Sequence, residues 1–168
     1  MNTTEIVRVT TVVAVDPAKA FEIFTNEIGM WWRPKVDLFR KGRKGVMRFD
    51  AGRLVEAYEN SETFEVGRVL EWKPGELLRF EWRQGDFAPG DATEVEVRFE
   101  RDGKGTRVSL EHRGWDRIVA THPARHGYTG DAFTSMVGLR WADLLTAFRR
   151  QATGPARSSV VSFSGQEG

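Results

Sequence analysis

The sequence predicts an α+β fold in which an antiparallel sheet closes around one long C-terminal helix. Three observations predict it. Apolar and polar residues alternate through most of residues 46–113, interrupted by short clusters of turn-forming residues. Near the C-terminus Phe133, Val137, Trp141, Leu144 and Phe148 share one stripe at helical spacing. Short helical patterns lie between the first strand pattern and the rest. A sheet with one dry face needs cover, and the terminal helix is the element long enough to supply it.

Taken in order, Ile6 to Val15 is rich in Val and Thr and reads as a strand. Asp16-Pro17 then supplies an N-cap and a proline at the first helical position, with Ala18, Phe21, Ile23 and Phe24 forming the apolar face. A second short helix is expected over Glu27 to Trp32, ended by Arg33-Pro34 because the residue before proline avoids the helical region. Val46–Ala51 and Arg53–Glu59 flank a tight connection at Asp50-Ala51-Gly52. Phe64–Trp72 and Leu77–Arg83 flank Lys73-Pro74-Gly75-Glu76, whose Pro-Gly pair suits a type II turn. Glu94–Glu100 and Thr106–His112 flank Arg101 to Gly105. After the Gly, Pro and His-rich residues 113–130, Asp131 is expected to cap a helix running to about Gln151.

One domain, residues 1–151, accounts for nearly all of the 168 residues and 19.1 kDa. Residues 152–168 are small and polar apart from Val160-Val161-Ser162-Phe163, and read as a disordered tail. Charge is almost balanced, 25 Lys+Arg against 24 Asp+Glu, which argues against a general nucleic-acid binder. The absence of cysteine excludes disulfides, a thiol nucleophile and Cys-ligated metals. No signal-peptide pattern and no apolar run of membrane-spanning length is present, so a cytoplasmic protein without membrane attachment is expected. Aromatics are the excess: 11 Phe, 6 Trp and 2 Tyr.

Several stretches resemble a known family. Asp16-Pro17-Ala18-Lys19-Ala20-Phe21, Phe24-Thr25 and Trp31-Trp32 are similar to the opening of the activator-of-heat-shock-protein-90-ATPase homologues, within the START-like superfamily of helix-grip folds. The run from Gly67 to Trp82 resembles that family's most recognisable hairpin, and Arg53-Leu54-Val55-Glu56 its glutamate-bearing strand. Glu94 to Val97, Gly105 to Val108 and His112-Arg113-Gly114-Trp115 are similar to its last hairpin. The resemblance spans residues 6–150 and implies a helix-grip fold, with roles that run from ligand carriage through cyclase chemistry to chaperone association. Where many members have glycine before the helix tryptophan, this chain has Arg140 before Trp141.

The expected site is the space between sheet and helix. Trp31, Trp32, Trp72, Phe80, Trp82, Trp115, Phe133, Met136, Val137 and Trp141 are expected to divide between core and lining for a small hydrophobic or aromatic ligand. Arg140 lies at an edge of the helix stripe. It either anchors an anionic ligand group or pairs with Glu56 or another strand carboxylate. Glu56, between Leu54 and Tyr58, and Arg68, between Val66 and Leu70, would point inward if those strand faces are the concave ones. Glu56 and His112 are the candidates for acid–base chemistry, although binding is favoured over catalysis. His112 is either a polar tip at the cavity mouth or a core-edge histidine. His122 and His126 are four apart but lack a zincin glutamate, so no metal is expected, and no phosphate loop or dinucleotide fingerprint suggests a cofactor. The bases Arg33, Lys35, Arg40, Lys41, Arg43, Lys44 and Arg48 form either a solvated loop or a surface for an acidic protein such as a chaperone. Exposed strand edges are compatible with a monomer or a homodimer.

Overall fold

The structure is a computed structural model and describes residues 5–33, 39 and 42–154. The alternating segments form seven antiparallel strands among the described residues: β1 (Val7–Val13), β2 (Val46–Asp50), β3 (Arg53–Ala57), β4 (Thr63–Lys73), β5 (Leu77–Trp82), β6 (Thr93–Asp102) and β7 (Gly105–Arg113). Their order across the sheet is β1-β7-β6-β5-β4-β3-β2, so β1, first in sequence, closes onto β7, the last strand. Helices α1 (Pro17–Asn26) and α2 (Ile28–Trp31) follow β1, and α3 (Gly130–Thr153) packs over the dry face. This is the helix-grip arrangement that the sequence predicts.

Local chemistry sets the element ends. The Asp16 carboxylate accepts the Lys19 amide at 2.8 Å and Pro17 opens α1, as expected. Gly75 takes the left-handed φ of 78° that the type II turn requires, and the Glu76 amide closes it on Lys73 at 2.9 Å. The β6–β7 turn is tighter than expected. Its ladder continues to Asp102 opposite Gly105, leaving only Gly103 and Lys104 in the loop, with Gly103 at φ 62°.

Two expectations at α3 need correction. Asp131 does not cap it: the N-cap is Thr129, whose side chain makes no capping bond. The free Gly130 amide instead donates 2.9 Å to the carboxylate of Glu5, so the cap comes from the other end of the chain. The helix also runs past Gln151, because Ala152 is buried against the core. The remaining tail, residues 155–168, lies outside the described residues.

The α3 stripe is buried as its spacing predicts, and each such apolar side chain contributes about 1.5–3 kcal/mol through burial. The opposite sheet face carries interleaved ion pairs. Arg113 reaches Glu94, Glu96 and Glu111 at 2.6–3.0 Å, and Arg79 bridges Glu71 and Glu94 at 3.1 Å. Arg8 extends the row to the β1 edge by a 2.9 Å contact with Glu111. Part of the balanced charge of the sequence is thus a lattice laid over one sheet face.

Strand β4 contains two register shifts, at Val66 opposite the Leu54/Val55 step and at Leu70 opposite the Phe80/Arg79 step. Each extra residue reverses the inside–outside alternation. Between them sits Gly67, where an added Cβ would lie 1.8 Å from the Glu81 carbonyl oxygen. Gly67→Ala is therefore expected to lower stability by about 3 kcal/mol in urea unfolding, since backbone must move to admit the methyl. A loss below about 1 kcal/mol, within the range of glycine's ordinary propensity effects, would contradict this reading of the bulge.

Candidate functional site

The space expected between sheet and α3 is mostly filled with rings. Trp32 meets Trp141 at 5.2 Å and Trp82 at 5.8 Å, and Trp82 meets Trp141 at 5.4 Å. Trp31 packs on Phe24 and Phe148, and Trp115 on Phe133 at 4.9 Å. Phe80 is wholly buried and Met136 packs partly buried against the same core. Among the described residues a cavity of about 20 Å³ is left there, lined by Trp82, Gln84, His112, Trp115, Val137, Arg140, Trp141 and Leu144. That is room for about one water. Of the lining, Gln84 escaped sequence reading, because it lies two residues past the end of β5 and carries no periodicity signal.

His112 is a core histidine. The Trp141 indole N–H, which can only donate, gives 3.1 Å to Nδ1. Nε2 lies 2.7 Å from Thr93 Oγ1, whose hydroxyl donates to the Trp82 carbonyl at 3.2 Å. The proton must therefore sit on Nε2, giving one directed chain from Trp141 through His112 and Thr93 to Trp82. Burial pushes the His112 pKa down to about 3. Both ring nitrogens are taken, so the general-base role considered for His112 has no free lone pair behind it.

Glu56 is buried too, but it is satisfied elsewhere. Its oxygens accept the Tyr58 hydroxyl and, at 3.2 Å, the Gly45 amide. It does not line the His112 cavity, so the two acid–base candidates share no open volume. Arg68 is a clear correction. Its side chain is 69% exposed and lies 3.5 Å from Glu81, because the bulge at Val66 turns it outward. Arg140 is half-buried and pairs with neither Glu56 nor any other carboxylate among the described residues. Desolvation holds its guanidinium pKa below the usual range.

Trp72 behaves unlike the other tryptophans. It is 43% exposed, whereas the other five are at most 3% exposed. Phe21 packs edge-on at 5.3 Å, and Phe49 stands at 5.5 Å with its plane turned 73°. Phe49 and Trp72 form one wall of a 580 Å³ cleft between the end of α1 and the β2–β3 hairpin. Val69 lies in the same lining, with Asn26, Arg48 and Asp50 contributing polar groups. At the hairpin tip Ala51 holds φ 52°, a conformation uncommon for a residue with a Cβ, and it also lines the cleft. The sequence singled out Trp72 but not Phe49, whose inward register against Leu54 was the available signal.

The basic run falls partly outside the described residues, which omit Lys35, Arg40 and Lys41. Within them Arg43 meets Glu62 at 2.6 Å and Arg48 meets Asp50 at 3.5 Å. His122 Nδ1 accepts the Ala124 amide at 3.0 Å and so serves its own turn. Among the described residues no cluster of three metal-ligating side chains occurs, and no helix is long and apolar enough to cross a membrane.

With this geometry in view, a family model described as Activator of Hsp90 ATPase homolog 1-like protein matches residues 14–137. The chain belongs to this family. Among solved structures, CalC from Micromonospora echinospora, described as a self-sacrificing resistance protein, is similar at 25% identity with a TM-score of 0.59. The match covers 88% of this chain and 93% of that one. Protein CV1439 from Chromobacterium violaceum shares 16% identity with a TM-score of 0.56, over 88% of this chain and 96% of that one. Mll3558 from Rhizobium loti shares 18% identity with a TM-score of 0.56, over 89% and 97% of the two chains. These last two establish a shared fold only. Comparison with curated proteins returns no match. Members of this family and fold serve broadly as ligand-binding or associated proteins.

Proposed function

We propose that this chain binds a small planar aromatic molecule, and that the ligand lies in the Trp72 cleft rather than beneath α3. The observation that carries the proposal is a tryptophan left 43% exposed in a cleft of ligand size. At 580 Å³ the cleft falls within the roughly 300–1,000 Å³ of small-molecule sites, whereas the 20 Å³ beneath α3 admits no ring. A ring laid on Trp72 would remove apolar surface from water against a wall already fixed by Phe21 and Phe49. Asn26, Arg48 and Asp50 offer donors and acceptors for the ligand's polar edge. CalC's description as a resistance protein agrees with a role in capturing a harmful molecule. A chaperone-facing role through the basic run has less support, since Arg43 and Arg48 already face carboxylates of this chain.

The test is a titration with 2-naphthol, a neutral planar probe, followed by tryptophan fluorescence. Trp72→Leu is expected to weaken binding about tenfold, the loss of one aromatic contact plus part of its buried area. Arg140→Met is expected to leave it unchanged. Equal affinity in wild type and Trp72→Leu would end the proposal.

A further inference from the structure

Beside its exposed indole, the Trp72 cleft has a second feature, which suits an extended chain. Among the described residues β2 is an open edge of the sheet, and Arg48, Phe49 and Asp50 of this strand line the cleft. The β2–β3 turn has two residues, Ala51 and Gly52, both left-handed at φ 52° and 78°. Such a turn makes Asp50 and Arg53 a hydrogen-bonded pair, so Phe49 and Leu54 form the next, non-bonded one. The Phe49 N–H and C=O therefore point away from β3, and neither has a partner among the described residues. Met47, the next residue facing the same way, is covered. Its carbonyl oxygen lies 2.9 Å from where a Cβ on Gly29 of α2 would stand. The edge is thus open at Phe49, beside the cleft.

The chain itself has a segment that starts next to this cleft. The last turn of α3 is fastened there: the Gln151 amide donates to Glu27 at 2.8 Å and lies 3.7 Å from the Met30 sulfur. Glu27 directly follows Asn26, which lines the cleft. Past Gly154 the sequence continues to Val160-Val161-Ser162-Phe163. The stretch from Gly154 to Phe163 can reach about 30 Å when extended. The surface beside the end of α3 is apolar as well, with Met30 60% and Val46 51% exposed. We infer that the C-terminal segment docks in this cleft, as an occupant supplied by the chain itself. Val160-Val161 cover Met30 and Val46, the segment's backbone pairs with the free edge of Phe49, and the Phe163 ring packs on Trp72. The β-branched valines favour the extended backbone that an added strand needs. A short tether gives the segment an effective concentration on the order of millimolar, so even weak packing fills the cleft. This rests on the cleft proposed for the aromatic ligand and gives it a regulator. A ligand must displace Phe163, and its apparent affinity is reduced to the fraction of molecules whose cleft is free.

Because the chain has no cysteine, Ser164→Cys places a single nitroxide label on the full chain. Its paramagnetic broadening is read on backbone amides and on the Trp72 indole N–H. Strong broadening is expected at Asn26, Phe49 and Trp72, and none at Leu139, which lines a different groove beside β1. Adding Phe163→Ser to the labelled chain is expected to remove most of the broadening at Trp72. A segment that does not dock would broaden the exposed Arg149 and Arg150 at the end of α3 as much as the cleft, with or without Phe163. Either that pattern or no broadening in the cleft overturns the proposal. Nitroxide-bearing chain mixed with isotope-labelled chain is expected to leave the cleft sharp. Broadening there in the mixture would assign the occupant to a second copy and overturn docking within one chain. Phe163→Ser without the label is expected to bind 2-naphthol roughly three- to tenfold more tightly than wild type. Equal naphthol affinity in the two also overturns the proposal. If naphthol binds neither chain while the Phe163-dependent broadening persists, the ligand reading fails and the docked segment stands.

Discussion

Replacing Arg125 with methionine is expected to cost about 3–5 kcal/mol of stability, the range for removing one partner of a buried ion pair. Arg125 is 3% exposed and sits in the connection between β7 and α3. Its guanidinium grips both oxygens of Glu5 at 2.8 and 3.0 Å. It also donates to the carbonyls of Trp115 at 2.7 Å, Ile118 at 2.9 Å and Val119 at 3.1 Å, and it lies 4.7 Å over the Phe133 ring. One side chain therefore ties the N-terminal segment, two 3₁₀ turns and the start of α3 together. Glu5 is held below the usual carboxylate range, chiefly by its bond to Arg125, and it caps Gly130 as well. In Arg125→Met the Glu5 carboxylate and three carbonyls lose their donor together. Glu5→Gln, which keeps an oxygen for the Gly130 amide, is expected to cost less. Urea unfolding measures both. A loss under about 1 kcal/mol for Arg125→Met would place this contact with ordinary surface ion pairs and refute its structural role.

The second large effect is on acid stability. His112 has an ordinary pKa of 6.5 when unfolded and about 3 in the native core, where burial disfavours the imidazolium. Below pH 6.5 the unfolded chain takes up a proton that the native state refuses, so stability falls as pH falls. The stability is fully present above pH 6.5 and is lost progressively down to about pH 3, at up to about 1.4 kcal/mol per unit and 4–5 kcal/mol in all. Protonation would also put a second donor at Nδ1, facing the Trp141 N–H. The window between pH 6.5 and 4.5 isolates this effect. The lowered carboxylates contribute only further down: Glu5, held by Arg125, Glu71, held chiefly by Arg79, and Glu96, where burial pushes upward but the Arg113 guanidinium outweighs it. Urea midpoints measured across that window should decline for the wild type. His112→Gln, less stable at neutral pH, should show a nearly flat profile there. A wild-type profile equally flat would mean that His112 is protonated without penalty in the native state.

Much of the fold was legible because local chemistry decided it. Asp16-Pro17 begins a helix wherever it is followed by an apolar face, and Pro74-Gly75 makes its turn from backbone preference alone. The α3 stripe was readable for the same reason: its buried residues repeat at the spacing of one element. Arg140 was recognised as an edge residue from that spacing, although its lack of a carboxylate partner was not. Arg68 was misread because period-two reasoning assumes an unbroken strand, and the bulge at Val66 breaks it.

By itself, then, the sequence determined the element order, the turns, the dry and wet faces and the family resemblance, since each depends on residues within a few positions of one another. The tertiary structure alone decided which rings fill the interior and which, like Trp72, stay in water. Whether Trp82 and Trp141 enclose a void or meet at 5.4 Å depends on how two distant elements approach. Whether Glu5 serves Arg125 depends on a contact across 120 residues. Such choices follow from packing in three dimensions, where a displacement smaller than one side chain turns a cavity into a core. The aromatic excess that stands out in composition is for that reason mostly structure, with Trp72 left exposed at the cleft.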